Sequence, residues 1–286
     1  MRKFNLKNTI DYSELEAFLD KRKENNSSDV EGIVKDIIAE VRAKGDDALR
    51  FYNEKFDGCK AQNLKVTEAE IEDAFKAIDK DLLGSIEKAT ENIRYFHQKQ
   101  MENSWFEQKE DGTTLGMLIQ PLKTVGIYVP GGKTPLPSSV LMNAIPGQVA
   151  GVENLVMVTP PSADGTIPAV TLVAAKIAGV KEIYKVGGAQ SIAALAYGTE
   201  TIPMVDKITG PGNAFVATAK KLVFGQCGID MVAGPSEISI IADSSANPVW
   251  LAADLLSQAE HDTLAAAIMI TTDADLAQKT EKELDK

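Results

Sequence analysis

The sequence predicts an α/β protein: two Rossmann-like open parallel-sheet units, the second incomplete, with a helical N-terminal region. Three observations predict it. Short apolar runs bounded by glycine and proline recur from Thr124 onward, and small-residue stretches of helical length separate them. Before residue 115, apolar side chains fall at helical spacing with almost no strand-like alternation. Continuous apolar strands alternating with helices imply a parallel sheet covered on both faces. The expected organisation is a helical region over 1–118 that packs with the last segment, an inserted α/β domain over 119–236, and the start of a second α/β unit over 237–286.

In the N-terminal region, Val30–Phe56 and Glu68–Gln100 read as helices; Val34, Ile37, Ile38 and Val41 share one face. The polar run Lys21–Asp29 reads as a loop, with Ser28 or Asp29 as candidate cap. Expected strands are Val125–Val129, Leu155–Thr159, Glu182–Val186, Ile238–Ala242 and Ala266–Thr271. Between them lie expected helices over Ser138–Ala150, Pro168–Ala178, Ala189–Tyr197, Asn213–Phe224 and Pro248–His261, and Asp273–Lys286 reads as a last helix.

At 286 residues and 44% hydrophobic content, the chain is long enough for two domains with cores of their own. Its 41 acidic against 30 basic side chains, a net charge of −11, argue against a nucleic-acid or anionic-membrane surface, which needs clustered positive charge. Cys59 and Cys227 sit in no CxxC or Cys/His cluster, so neither a disulfide framework nor a zinc-finger site is expected. Met1–Asp20 lacks the apolar core of a signal peptide, and no run of about 18 apolar residues occurs. A cytoplasmic location is the expectation.

In open parallel sheets, ligands bind beyond the carboxyl ends of the strands, so the loops after strands carry the chemistry. The first, Gly126-Ile127-Tyr128-Val129-Pro130-Gly131-Gly132-Lys133-Thr134, approaches a phosphate-cradling P-loop. Its spacing fails, with Ile127 where the first glycine belongs. Pro135 and Pro137 also hold Thr134 and Leu136 extended, so no helix starts at Lys133. A rigid turn is the plain alternative.

The second and third loops, Val186-Gly187-Gly188-Ala189-Gln190-Ser191 and Thr209-Gly210-Pro211-Gly212-Asn213-Ala214-Phe215, each join an apolar segment to a small-residue helix. Neither is the dinucleotide GxGxxG, because Phe215 takes the third glycine's place; Asn213 reads equally as a helix cap. The fourth, Val232-Ala233-Gly234-Pro235-Ser236-Glu237, runs directly into a strand, which rules Ser236 out of a nucleophile elbow and leaves a turn serine or a ligand contact.

Gln258 and His261 lie three apart on an expected helix and share a face, so an amide oxygen and an imidazole nitrogen could converge on a metal or a polar ligand. The alternative is a satisfied buried histidine. His97, in a charged helix, reads as a partly exposed helix residue, and Cys227 has no visible activating base.

Taken together and in order over residues 30–273, Gly126–Gly132, Val186–Gln190, Gly210–Ala214, Ala233–Glu237 and Asp254–His261 strongly resemble the histidinol dehydrogenase family. The resemblance implies zinc- and NAD-dependent oxidation of L-histidinol to L-histidine through an aldehyde held on the enzyme, by an intertwined homodimer. By motif it makes Tyr128, Gln190 and Asn213 contacts to NAD and Ser236 a contact to substrate. Gln258 and His261 become zinc ligands that also approach the substrate.

Members of that family run well beyond this chain's length, and their catalytic Glu-His pair, an Asp zinc ligand and a His ligand lent by the partner subunit map onto no residue here. No catalytic residue is therefore assigned in residues 1–286, and the chain alone is expected not to complete the reaction. The alternative is a non-catalytic NAD-binding fragment or interaction module. A generic aldehyde-oxidising relative would need the activated thiol that Cys227 lacks.

Overall fold

The computed structural model describes residues 2–6, 12–24, 28–131, 135–232, 237–260 and 265–286. The chain divides into two compact units, 28–232 and a smaller one joining 1–27 to 233–286. Helix α1 (Ser13–Glu24) belongs to the smaller unit.

The larger unit begins with four helices, α2 (Ser28–Lys44), α3 (Asp46–Asp57), α4 (Glu68–Ala77) and α5 (Lys80–Gln98). Helix α3 stops at Gly58, whose φ of 66° places it in the left-handed region that glycine adopts without cost. Helix α4 starts with a capping box, in which Thr67 and Glu70 satisfy each other's backbone amides. An exposed antiparallel hairpin, β1 (Trp105–Gln108) and β2 (Thr114–Met117), follows.

The α/β part then runs β3 (Thr124–Tyr128), α6 (Pro137–Val149), β4 (Asn154–Thr159), α7 (Ala169–Ile177), β5 (Glu182–Lys185), α8 (Gly188–Tyr197), β6 (Lys207–Thr209), α9 (Ala214–Val223) and β7 (Gly228–Ile229). All five strands are parallel, in the order β5-β4-β3-β6-β7. The chain steps outward from β3 through β4 to β5, then returns to place β6 on the other side of β3. The strand order therefore reverses between β3 and β6, and that switch point is where doubly wound sheets open a crevice at their carboxyl edge.

Alternation along β3 divides the unit into two cores. Val125, Ile127 and Val129 face α4, α5, α6 and α7, packing with Ile71, Ile86, Ile145, Met157 and Val173. Tyr128 faces the opposite way, toward α2, α3, α8 and α9, with Val34, Leu49, Ile192, Leu195 and Val216.

Compactness thus divides the chain differently from the expected boundaries at 118 and 236. Helices α2–α5 bury their apolar faces in the two cores of this sheet, and residues 2–6 with α1 are what join the C-terminal elements. Four strands fall outside the expected set. Strands β6 and β7 are three and two residues long, too short to show a period, and every residue of β1 and β2 is exposed, so no apolar face marks them.

The smaller unit runs α1, β8 (Glu237–Ala242), α10 (Pro248–Ala259), β9 (Ala266–Thr271) and α11 (Ala274–Leu284). Strands β8 and β9 pair in parallel from Glu237↔Ala266 to Ala242↔Thr271, a βαβ unit. The Phe4 and Phe18 rings meet at 5.4 Å, and Lys3 pairs with Glu281 at 2.5 Å. Among the described residues, no helix is long and apolar enough to cross a membrane.

Candidate functional site

The carboxyl edge of the five-stranded sheet is lined by the ends of β3, β5 and β6 and by the loops that follow them. Tyr128 closes β3 and is 3% exposed. Burial pushes its phenol up to about 12; a hydrogen bond with the Gly188 backbone opposes that shift, and the charge of Asp57 adds to it. Asp57 and Gly188, both distant from it in sequence, therefore each act on Tyr128 here.

Gln190, in the first turn of α8, is 1% exposed, and neither its Oε1 nor its Nε2 has a hydrogen-bond partner among the described residues. Burying an amide in this way is unfavourable by about 1–3 kcal/mol unless something completes it. Gly187, the N-cap of α8, offers no side chain to the helix's first amide groups, so the positive end of the helix dipole is left uncovered by any capping side chain. Gly131 and Gly187 both lie so close to Pro160 that a Cβ on either would collide with its ring.

Asn213 is the N-cap of α9: its Oδ1 accepts from Phe215 and Val216 amides, both at 3.1 Å. The cap reading is thus satisfied by the oxygen, while the side chain stays exposed and its NH2 remains available. The loop before it is fixed from below. Lys220, 2% exposed, donates to the Gly210 carbonyl at 2.8 Å and pairs with Asp230, whose other oxygen accepts from the Gly210 amide at 2.9 Å. Thr209 Oγ1, at the end of β6, is another buried polar atom without a partner among the described residues.

Helix α3 adds two side chains that loop motifs did not reveal. Asn53 is buried and its Nδ2 donates to the Lys185 carbonyl at 2.7 Å, tying α3 to the end of β5. Asp57, one turn further on, has a buried Oδ2 with no partner among the described residues, and burial alone pushes its carboxyl from 3.8 to about 6. A raised carboxyl favours the folded state fully below about pH 4, and that advantage is lost as pH rises through about 6. We expect Asp57→Asn to raise the urea midpoint at pH 8 and leave it nearly unchanged at pH 4, with the wild-type carboxyl carbon titrating near 6 by NMR. An NMR midpoint near 4 would refute this.

Lys220 did carry a sequence signal, since it lies on the stripe of Val216 and Val223 and so on the buried side of α9. Cys227 is buried, donates to the Val205 carbonyl at 3.3 Å, and is pushed up to about 11 by burial and then by Asp206. It is expected to resist iodoacetamide at about pH 7.5 in the native chain and react once unfolded; native alkylation at a free-thiol rate would contradict that.

Of the other expected site residues, Ser236 and His261 lie outside the described residues. So do Gly132, Lys133 and Thr134 of the P-loop-like run; α6 starts only at Pro137, after an uncapped Leu136. Gln258 is half-buried near the end of α10, in the smaller unit. His97 is in the last turn of α5, half-buried, with its ring 2.6 Å from the Gln100 amide oxygen. Among the described residues, no three of His, Cys, Asp or Glu gather where a metal could sit.

These features define a doubly wound α/β protein whose strand order reverses between β3 and β6, with buried, unpartnered polar atoms among the described residues at that carboxyl edge. A family model for histidinol dehydrogenase matches residues 20–286, and the chain belongs to that oxidoreductase family. It is 56% identical over 268 residues to the histidinol dehydrogenase of Streptococcus mutans, covering 94% of this chain and 62% of the relative. With that of Halalkalibacterium halodurans it shares 57% over 253 residues, covering 88% and 60%. A crystal structure of histidinol dehydrogenase from Elizabethkingia anophelis superposes with a TM-score of 0.83 at 41% identity, over 91% of this chain and 60% of that one. The chain thus spans about three fifths of the length of these relatives.

Proposed function

We propose that this chain supplies the NAD-holding part of a histidinol dehydrogenase, which oxidises L-histidinol to L-histidine in two steps with NAD and zinc. The observation that carries the reading is Gln190: a fully buried amide with both polar atoms unpartnered among the described residues, in the first turn of a helix that has no side-chain cap. A dinucleotide fits such a place. Its pyrophosphate matches the uncovered amide end of α8, and its polar ring substituents match a buried amide that donates and accepts.

The chain's own contribution is binding and orientation. Tyr128 and Gln190 hold the ligand from the β3 and α8 sides, and the NH2 of Asn213 reaches it from the α9 cap. The Lys220–Asp230 pair keeps the Gly210 loop in one conformation. Bound NAD supplies the hydride acceptor for each step, and orientation of this kind contributes several kcal/mol of barrier lowering.

Gln258, His261 and Ser236 belong to the same proposal as the family's metal and substrate positions. The described residues alone do not form a zinc shell, and no step is routed through the metal. Because no acid/base pair is assigned within residues 1–286, the chain by itself is proposed to bind NAD without turning over histidinol. The homodimeric state and the cytoplasmic location that the family implies are likewise part of this reading.

Calorimetric titration with NAD tests it. Wild type should bind, and Gln190→Met should bind at least about ten-fold more weakly while the fold keeps or gains stability, since an apolar side chain removes two unpaired buried groups. No NAD binding by a folded wild-type chain would overturn the reading. A steady-state assay with histidinol, NAD and zinc addresses turnover, and rates like those of an intact relative would refute the binding-only proposal.

A further inference from the structure

We propose that Asp57 is a ligand-contacting residue of this edge, whose carboxylate accepts hydrogen bonds from the vicinal hydroxyls of a nucleoside ribose and so selects NAD over its 2′-phosphorylated counterpart. The inference rests on the NAD reading above and extends it to a residue that none of the loop motifs contains.

In doubly wound dinucleotide folds, the ribose acceptor is an acid near the end of the second strand. Here that strand, β4, ends in Thr159-Pro160-Pro161, and the next acid is Asp164. Its carboxylate is engaged in its own turn, where Oδ1 accepts from the Thr166 amide at 3.0 Å and the Thr166 hydroxyl at 2.7 Å. The acid at the usual position is thus held in its own turn through Oδ1 and is exposed.

Helix α3 brings one in from the other side. Asn53 and Asp57 are four apart and share a face. Asn53 is bonded to the Lys185 carbonyl at the end of β5, and the charge of Asp57 is felt by Tyr128 at the end of β3. The helix ends at Gly58, which fixes where its last turn points.

Among the described residues nothing compensates this carboxylate. Its Oδ2 is buried without a partner among these residues, burial alone raises its pKa, and it is the last residue of a helix, where the macrodipole disfavours negative charge. A group so placed costs stability and is explained by what it binds. A carboxylate that belongs to no group of three His, Cys, Asp or Glu side chains among the described residues does not suit a divalent cation, whereas a diol presents two O–H donors to a single carboxylate. A phosphate on the 2′ oxygen would meet it as a like charge.

The test is titration of the folded chain with NAD and with NADP, in wild type and Asp57→Asn, with Gln190→Met as comparison. Wild type should prefer NAD. Asp57→Asn should weaken NAD at least about ten-fold and NADP much less, compressing the preference, while its urea midpoint at pH 8 rises. A merely structural role would lower stability and leave the NAD-to-NADP ratio alone. Gln190→Met should weaken both ligands together.

Unchanged NAD affinity and an unchanged ratio in Asp57→Asn, with wild type binding NAD normally, would overturn this inference and leave the NAD reading standing. Absence of NAD binding in folded wild type would remove both. Should Asp57→Asn not fold, Asp57→Ser takes its place with the same expected ratio.

Discussion

Gly210→Ala is expected to remove about 4 kcal/mol or more from the stability of the larger unit and to abolish NAD binding in whatever fraction stays folded. Gly210 has a φ of 118°, which a side chain rarely adopts, and that strain alone costs about 1–3 kcal/mol. The larger effect is steric. A Cβ there would overlap the Tyr128 carbonyl oxygen and lie 3.0 Å from its carbon and 3.2 Å from its nitrogen, so the obstacle is the backbone at the end of β3 and cannot rotate away. Relief would require separating β6 from β3 at the switch point, where the ligand is proposed to lie. Gly225→Ala isolates the two contributions, because Gly225 has a similar φ of 102° with open space where its Cβ would go. Urea denaturation of both variants should give a loss at Gly225 near the strain value alone. Equal losses would show that the close approach of Gly210 to Tyr128 is unimportant.

The same contact explains what could be read from the sequence and what could not. The run Thr209-Gly210-Pro211-Gly212-Asn213 announces a strand-to-helix turn, and the helix after it was expected to within a residue, because glycine, proline and a capping side chain are local signals. Helices α6, α7, α8 and α10 were legible for the same reason, as were β3, β4, β5, β8 and β9, whose apolar runs are long enough to stand out.

What is not local was not legible. Asp57 and Asn53 lie in a charged helix whose sequence says only that one face is apolar; the bond of Asn53 to Lys185 and the reach of the Asp57 charge to Tyr128 depend on how α3 is laid against the sheet. The family resemblance proposes Tyr128, Gln190 and Asn213 as NAD contacts, yet it could not indicate that Gln190 would be buried with both amide atoms unpartnered among the described residues, or that the Asn213 oxygen would be taken by its own helix. These are properties of packing, and they separate the side chains that hold the loop from those left free to bind.

Asp230→Asn is expected to cost more than Lys220→Met, although the two residues form one ion pair. Burial decides the order. The Lys220 side chain is 2% exposed and that of Asp230 is 30% exposed. Removing the aspartate charge strands an ammonium inside the unit, for which about 3–5 kcal/mol is the usual loss when one partner of a buried pair is deleted. Removing the lysine leaves a carboxylate that reaches water and still accepts from the Gly210 amide at 2.9 Å, so about 1–2 kcal/mol is expected. The double variant Lys220→Met/Asp230→Asn should be more stable than Asp230→Asn alone, since no unpaired charge remains. All three are expected to weaken NAD binding through the Gly210 loop, and the double variant should still bind poorly despite its recovered stability. A double-mutant cycle in urea, run beside the NAD titration, separates the two effects: stability following the charges and affinity following the loop would establish Lys220 as a positioning residue. If affinity instead recovered in step with stability, the pair would serve the fold alone.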